Sequence, residues 1–225
     1  MPKKIRVIIT GATGMVGEGV LHECLNHPLV EQVLVVNRNP CGVEHPKLVE
    51  ILHKNFFDLS SIEGHLYGYN ACFFCLGVSS VGMNEEKYTK VTYTLTLNFA
   101  KTLLKLNHDM TFCYISGAHT DSTEKGRSMW ARVKGRTENE LAQLPFEQEF
   151  NFRPGYMHPT PGMKNTLPAY KYMSWLYPVV RKLFPNAAST LAELGQAMIN
   201  AAVIGYPKQV LEVKDIVKLA HEEIS

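Results

Sequence analysis

Residues 4–20 read KIRVIITGATGMVGEGV, and the fold turns on how that stretch divides. KIRVIIT (4–10) is rich in β-branched apolar residues and reads as a strand. Over 14–27, Met15, Val16, Val20, Leu21 and Leu25 recur at helical spacing. Gly11, Gly14 and Gly17 stand at the junction. The first glycine permits a tight turn, the second lets backbone approach a pyrophosphate, and the third lets the helix pack close to the sheet. Unpaired N–H groups at the helix start then face the phosphates. The spacing is G-x-x-G-x-x-G where the common dehydrogenase fingerprint has G-x-G-x-x-G. Gly11, Thr13, Gly14, Met15, Val16 and Gly17 are therefore expected to hold a dinucleotide.

Outward from this point the chain alternates. QVLVVN (32–37), KLVEILH (47–53), ACFFCL (71–76), MTFCYIS (110–116) and EQEFNFRPG (147–155) read as further strands. A long helix is expected over 84–106, capped by Asn84 and buried along Tyr88, Val91, Leu95, Phe99, Leu103 and Leu106. Another is expected over 127–144. Short apolar strands separated by helices predict a doubly wound, mostly parallel α/β sheet of the Rossmann kind, with helices on both faces. One domain is expected, with a nucleotide-binding core over 1–155 and a small substrate-side region over 156–225. Within that region, 169–184 reads as a helical lid, or as a membrane-surface helix anchored by Lys171, Arg181 and Lys182. A helix over 189–205 carries Thr190 and Glu193 at capping-box spacing, followed by a strand at 209–213 and a last helix at 214–223.

The 225 residues are 45% hydrophobic with a formal net charge of +2, which suits one buried core. There is no basic stripe, so nucleic acid is not an expected partner. No run of about 18 uncharged apolar residues exists, so membrane association is not expected. The five cysteines, an odd number set largely in apolar runs, fit a reducing, cytoplasmic setting. Cys72 and Cys75 spell C-x-x-C, but three residues apart on a strand they face opposite ways, and no metal site is expected.

The end of the second strand selects between cofactors. An acid there binds the ribose 2′-hydroxyl of NAD, whereas an arginine accommodates the 2′-phosphate of NADP. Here VVNRNP offers Asn37 and Arg38 and no acid. Guanidinium matches phosphate geometry, so NADP(H) is expected before NAD(H). Asp58, in NFFDLS, is placed either to accept from an adenine amino group or to cap the turn begun by Leu59. LGVSS (76–80) brings Leu76 and Gly77 to the cofactor ribose and Val78 to a substrate pocket.

Together TGATGMVG, VVNR, NFFD, CFFCLG, YISGAH, VKGRTE and FRPG resemble the short-chain dehydrogenase/reductase superfamily. The likeness is closest to its atypical and extended members, near NAD(P)-dependent epimerases and Tat-interacting-protein-like oxidoreductases, and LEVKDIVKLA is similar to the tail of the last group. It covers nearly the whole chain, strongly over 5–155 and more loosely over 156–205. The resemblance implies an oxidoreductase or epimerase-like enzyme acting on a small carbonyl or alcohol. In such enzymes a tyrosine is the general acid/base, and a lysine four residues later binds the nicotinamide ribose and lowers the tyrosine pKa. A serine or threonine follows strand five. Lys134 takes the lysine's place and Ser116 the serine's, but Trp130 stands where the tyrosine would be.

Indole N–H is a donor only, so that mechanism cannot run unaltered. His119, in the loop GAHTDSTEKGRS, is the first expected replacement, since histidine titrates in the right range. Tyr156 and His158 are alternatives. In a further alternative, water completes the transfer at lower speed. The remaining expectation is a non-catalytic NADP(H)-binding sensor or regulatory protein in which Trp130 stacks beside the nicotinamide or fills a pocket. A small-molecule substrate is the expected partner, and the paired long helices leave a homodimer open.

Overall fold

The computed structural model describes residues 2–166, 177–184 and 186–224. Its main sheet has seven strands: β1 (Ile5–Thr10), β2 (Val30–Asn37), β3 (Leu48–Leu52), β4 (Ala71–Phe74), β5 (Thr111–Ile115), β6 (Gln148–Arg153) and β9 (Val210–Glu212). They lie in the order β3-β2-β1-β4-β5-β6-β9, and each pairing is parallel. The chain winds outward in one direction from β1 through β3 and in the other from β4 onward. That reversal opens a crevice at the carboxyl ends of β1 and β4, where ligands bind in such sheets.

Both faces are covered, which explains why the central strands are apolar at nearly every position. On one face Val7, Ile9, Phe73, Cys113, Phe150 and Phe152 pack against Val20, Leu21 and Cys24 of α1 (Met15–Asn26) and Leu194 and Met198 of the helix Leu191–Ile204. On the other, Ile8, Phe74, Phe112 and Tyr114 meet Leu95, Phe99 and Leu103, together with Leu141 of the helix Met129–Leu141. Cys72 and Cys75 fall on opposite faces, as strand alternation requires, and all five cysteines are free.

The helix expected over 84–106 forms in three parts: α2 (Glu85–Thr89), a π-turn (Lys90–Thr94) and α3 (Leu95–Leu106). Asn84 caps it, accepting from Lys87 N at 3.0 Å. The β-branched run around Thr92 accompanies the π-turn, and Thr96 Oγ1 donates to Thr92 O at 2.5 Å. Such turns concentrate at functional sites. The helix Met129–Leu141 is α4, Tyr177–Leu183 is α5, Leu191–Ile204 is α6 and Val213–Ala220 is α7. The capping box of Thr190 and Glu193 is present.

Two short strands were not expected from the sequence. β7 (Tyr156–His158) and β8 (Ala188–Thr190) pair in parallel as a separate sheet. The segment after β7 returns to α1, where buried Glu18 accepts from Lys164 N and Asn165 N, each at 2.7 Å. Arg181, one of the residues of the membrane-surface alternative, is bonded within the domain: it donates to Glu193 at 2.6 and 2.9 Å and to Ala188 O at 3.0 Å. Lys171 lies outside the described residues. Among the described residues no helix is long and apolar enough to cross a membrane.

Candidate functional site

The glycine loop is built as its spacing requires. Gly11 has φ +75°, and a Cβ there would lie 2.8 Å from Cys75 O. A Cβ on Gly17 would lie 2.1 Å from Gly11 O, so helix α1 sits directly on the loop. Gly14 meets only Gly11 O at 3.4 Å and faces open space. Gly14 opens α1 without a side-chain cap, and Thr13 and Gly14 are exposed. The first-turn amides of Met15, Val16 and Gly17 have no helical carbonyl to bond. An anion fits this cradle: the amides are free, the helix dipole favours negative charge, and the approach is clear. Met15 contributes only backbone, because its side chain is in the core.

Asn37 does not face a ligand. Its side chain is buried, with Oδ1 accepting from Ala12 N at 3.2 Å and Nδ2 donating to Glu50 Oε1 at 3.2 Å. It buttresses the glycine loop. Glu50, brought beside β2 by the pairing of β3, also accepts from Cys41 N at 2.9 Å. Its carboxylate is occupied by structural donors.

Next to the loop is a cavity of about 150 Å³ between the carboxyl ends of β2 and β4. Arg38 and Lys54 line it together with Phe56, Phe57, Leu76, Gly77 and Val78, and Val91 and Leu95 close it from the helix side. No carboxylate is among these residues. Val78, expected in a substrate pocket, lines this cavity with Arg38, whereas Tyr156 lines a different one. Asp58 and Leu59 do not line the cavity. Asp58 Oδ1 accepts from Ser60 N at 3.0 Å and Ser60 Oγ at 2.7 Å, and these bonds hold its carboxyl below the usual range. Leu59 is core. The turn-capping alternative is the one realised, and Phe56 and Phe57 from the same segment take the place beside Arg38.

The second half of the site lies between β5 and α4. Trp130, Lys134 and Glu138 share a helix face at successive four-residue steps. Trp130 lies over the loop after β5: a Cβ on Gly117 would be 3.7 Å from its ring. Lys134 Nζ donates to Ile115 O at 3.2 Å and Ser116 O at 3.1 Å and sits 5.2 Å from the Tyr114 ring centroid. Its stem reaches the surface while its ammonium is enclosed, and burial lowers its pKa to about 8 against the opposing pull of Glu138. Gly135 explains itself here. A Cβ on it would lie 1.8 Å from Asp121 O, so the loop crosses the helix at that point.

Ser116, expected as the catalytic hydroxyl, follows β5 directly. It is buried, and its Oγ is 2.9 Å from Thr120 Oγ1 within the loop. Glu138 forms a buried ion pair with Arg153 at the end of β6. Arg153 also donates to Glu212 at 3.2 Å and to Ser122 Oγ. One guanidinium therefore ties together α4, the β5–α4 loop and the start of α7. Beyond it opens a cavity of about 590 Å³, lined by His119, Arg153, Tyr156, Asn186, Glu212 and neighbouring backbone. The structure brings His119 and Tyr156 together there and leaves Trp130 outside the lining. His158 is stacked on Tyr177 with centroids 4.3 Å apart, and burial lowers its pKa. Among the described residues no cluster of three or more His, Cys, Asp or Glu is arranged to hold a metal.

Sequence reading missed Lys54, Glu138, Arg153 and Glu212. Glu138 alone carried a local signal, since it continues the Trp130–Lys134 spacing.

Comparison with known proteins agrees with this layout. The chain is 25% identical to Protein HTATIP2 of Rattus norvegicus over 153 residues, 67% of this chain and 62% of that protein. It therefore spans less than two thirds of that relative. Its fold matches the Bordetella bronchiseptica enzyme WbmF in complex with NAD+ (TM-score 0.66, 16% identity, 97% of this chain and 77% of that one). It also matches uronate dehydrogenase from Agrobacterium tumefaciens (0.66, 16%, 94% and 76%) and Helicobacter pylori ADP-L-glycero-D-manno-heptose-6-epimerase (0.65, 16%, 97% and 82%). The profile of the NAD dependent epimerase/dehydratase family matches residues 7–127, more than half of the chain. The chain belongs to the NAD dependent epimerase/dehydratase family.

Proposed function

We propose that the protein binds NADP(H) and is an oxidoreductase or epimerase-like enzyme on a small carbonyl or alcohol. The observation that carries the cofactor choice is the pair of cations, Arg38 and Lys54, in a cavity without a carboxylate. A 2′-phosphate has donors there, whereas a bare ribose has no acceptor. Phe57, partly exposed and 5.6 Å from Lys90 Nζ, offers a face for the adenine. The amides at the start of α1 hold the pyrophosphate, and Lys134 meets the nicotinamide ribose. The bound cofactor supplies or accepts hydride. Arg153, through Glu138, fixes the helix that carries Lys134. The free cysteines support a reducing, cytoplasmic setting.

A second reading has its own observation. Trp130 stands at the tyrosine position and the Ser116 hydroxyl is turned inward, which suits a protein that binds NADP(H) without turnover. Calorimetric titration with NADPH and NADH tests the shared part. NADPH should bind more tightly, and Arg38→Ala should weaken it about 10- to 100-fold, the size of a lost hydrogen bond to a charged group. Binding of neither nucleotide overturns both readings. Carbonyl-dependent NADPH consumption then separates enzyme from sensor.

A further inference from the structure

We infer that His119 is the proton-transferring side chain of this site, in the role that Trp130 cannot take. The inference rests on the reading of the chain as an NADP(H)-dependent oxidoreductase. It starts from the backbone. After β5 the chain folds into a tight turn, with Thr120 N donating to Gly117 O at 3.2 Å and Thr120 Oγ1 donating to the same oxygen at 2.8 Å. His119 takes the left-handed position of that turn, at φ +67°. Glycine or asparagine occupies such a position at lower cost, and strain of this kind gathers at functional sites. What the strain achieves here is presentation. The imidazole is exposed and lines the cavity of about 590 Å³, beside the segment against which Trp130 packs.

The neighbouring candidates are committed elsewhere. Ser116 Oγ bonds Thr120 inside the loop. Lys134 Nζ donates to Ile115 O and Ser116 O, which leaves its third N–H for the nicotinamide ribose. Tyr156 shares the cavity, but its hydroxyl oxygen is buried. The adjacent guanidinium, Arg153, is neutralised by Glu138 and Glu212. His158 is on β7, stacked on Tyr177 and outside the cavity lining. His119 is left as the exposed side chain of this cavity that can both give and take a proton.

The step balances. A substrate carbonyl gains hydride at carbon from the reduced nicotinamide, which is oxidised by two electrons. His119 in its imidazolium form gives its proton to the carbonyl oxygen as the C=O π bond breaks, leaving an alcohol and a neutral imidazole. Being exposed, the ring recovers a proton from water. In the oxidative direction the same ring removes the hydroxyl proton. The charged or titratable groups that share its cavity are Arg153, Glu212 and Tyr156.

The test uses His119→Asn, since asparagine keeps the left-handed turn, with Tyr156→Phe alongside. NADPH affinity is measured by calorimetry, and imidazole C–H resonances are followed by NMR with and without NADPH. Reduction of 9,10-phenanthrenequinone, a dicarbonyl probe, is followed from pH 5 to pH 9. The result expected is unchanged NADPH affinity, a His119 resonance that moves on NADPH addition, and kcat lowered by about 100-fold or more in His119→Asn, with loss of the pH dependence of kcat. Tyr156→Phe, at the other titratable ring of the cavity, should keep the pH dependence that His119→Asn loses. A wild-type protein that binds NADPH but leaves the resonance unmoved, reduces no quinone, or reduces it equally well in His119→Asn overturns the inference. Failure to bind NADPH at all is the failure of the underlying reading, and the calorimetry distinguishes the two.

Discussion

The glycine loop and the β5–α4 junction sit side by side at the carboxyl ends of the strands, yet they are made of different material. The loop is backbone: a left-handed Gly11, an uncapped helix start and a Gly17 with no room for a side chain. The junction is side chain. Arg153 reaches 15 residues back to Glu138 and 59 forward to Glu212, and the Trp130 ring lies over the loop after β5. A backbone device follows from a few neighbouring residues and admits few substitutions. A side-chain device can change one member, as at position 130, and leave the scaffold standing.

The largest effect should come from putting atoms where the backbone device has none. Gly17→Ala places a Cβ 2.1 Å from Gly11 O, and neither partner is a flexible side chain. We expect a loss of more than about 3 kcal/mol in urea unfolding, at the upper end for overpacking. Gly14→Ala is the control. Its Cβ meets only Gly11 O at 3.4 Å, and the residue has φ −102° and ψ 163°, which alanine adopts freely. Stability should hold within about 1 kcal/mol while NADPH affinity falls. Equal behaviour of the two variants would break the distinction between packing glycine and approach glycine.

The side-chain device should respond differently. Arg153→Met leaves Glu138, which is 2% exposed, without its partner. Stranding a buried charge costs about 3–5 kcal/mol. Adding Glu138→Leu should recover most of that loss, because an apolar pair of similar size can replace a buried ion pair. A double variant no better than Arg153→Met would mean that the guanidinium stabilises mainly through Glu212 and Ser122.

A smaller effect belongs to Glu149, on β6 beneath the same helix. It is buried, and neither carboxylate oxygen is in hydrogen-bond geometry with a partner among the described residues. Burial, reinforced by the Glu138 charge and only partly countered by the Asn151 amide, raises its pKa to about 8. In the unfolded chain a glutamate titrates near 4.3. Between those values the unfolded state has lost the proton that the folded state keeps. Stability from this group is therefore complete below about pH 4.3, falls as pH rises toward 8, and is level above. Glu149→Gln should remove that slope, gaining about 1–3 kcal/mol at pH 8.5 relative to pH 5, the usual penalty for an unsatisfied buried group. Urea midpoints at the two pH values check it, and an unchanged slope would place the carboxyl in contact with water.

How much of this was legible follows the same division. The seven strands of the main sheet, the capped helix starts at Asn84 and Thr190, and the packing of the glycines could be read because each depends on residues within one turn or one strand. The absence of a tyrosine at 130 was equally plain. The inward rotation of Ser116 was not, since it depends on Thr120 closing a turn. The β7–β8 pair joins strands some 30 residues apart and has too few residues to show a period. Lys54 and Phe57 gave no signal because only the β2–β4 crossing brings their segment beside Arg38.

That same segment gives the smallest and most discriminating prediction. Asp58 and Phe57 are adjacent, and each could serve the adenine: the first by its carboxylate, the second by its ring. The geometry assigns the carboxylate to Ser60 and the ring to the cavity. Stacking of a base on an aromatic ring is worth about 1–3 kcal/mol, so Phe57→Ala should weaken NADPH binding roughly tenfold. Asp58→Ala should alter it less than about twofold, because a group that touches no ligand contributes only through its own turn. If calorimetry gives the reverse order, the turn must open when nucleotide binds and release Asp58 to the adenine amino group. The boundary between backbone-made and side-chain-made halves would then run through the NFFD segment itself.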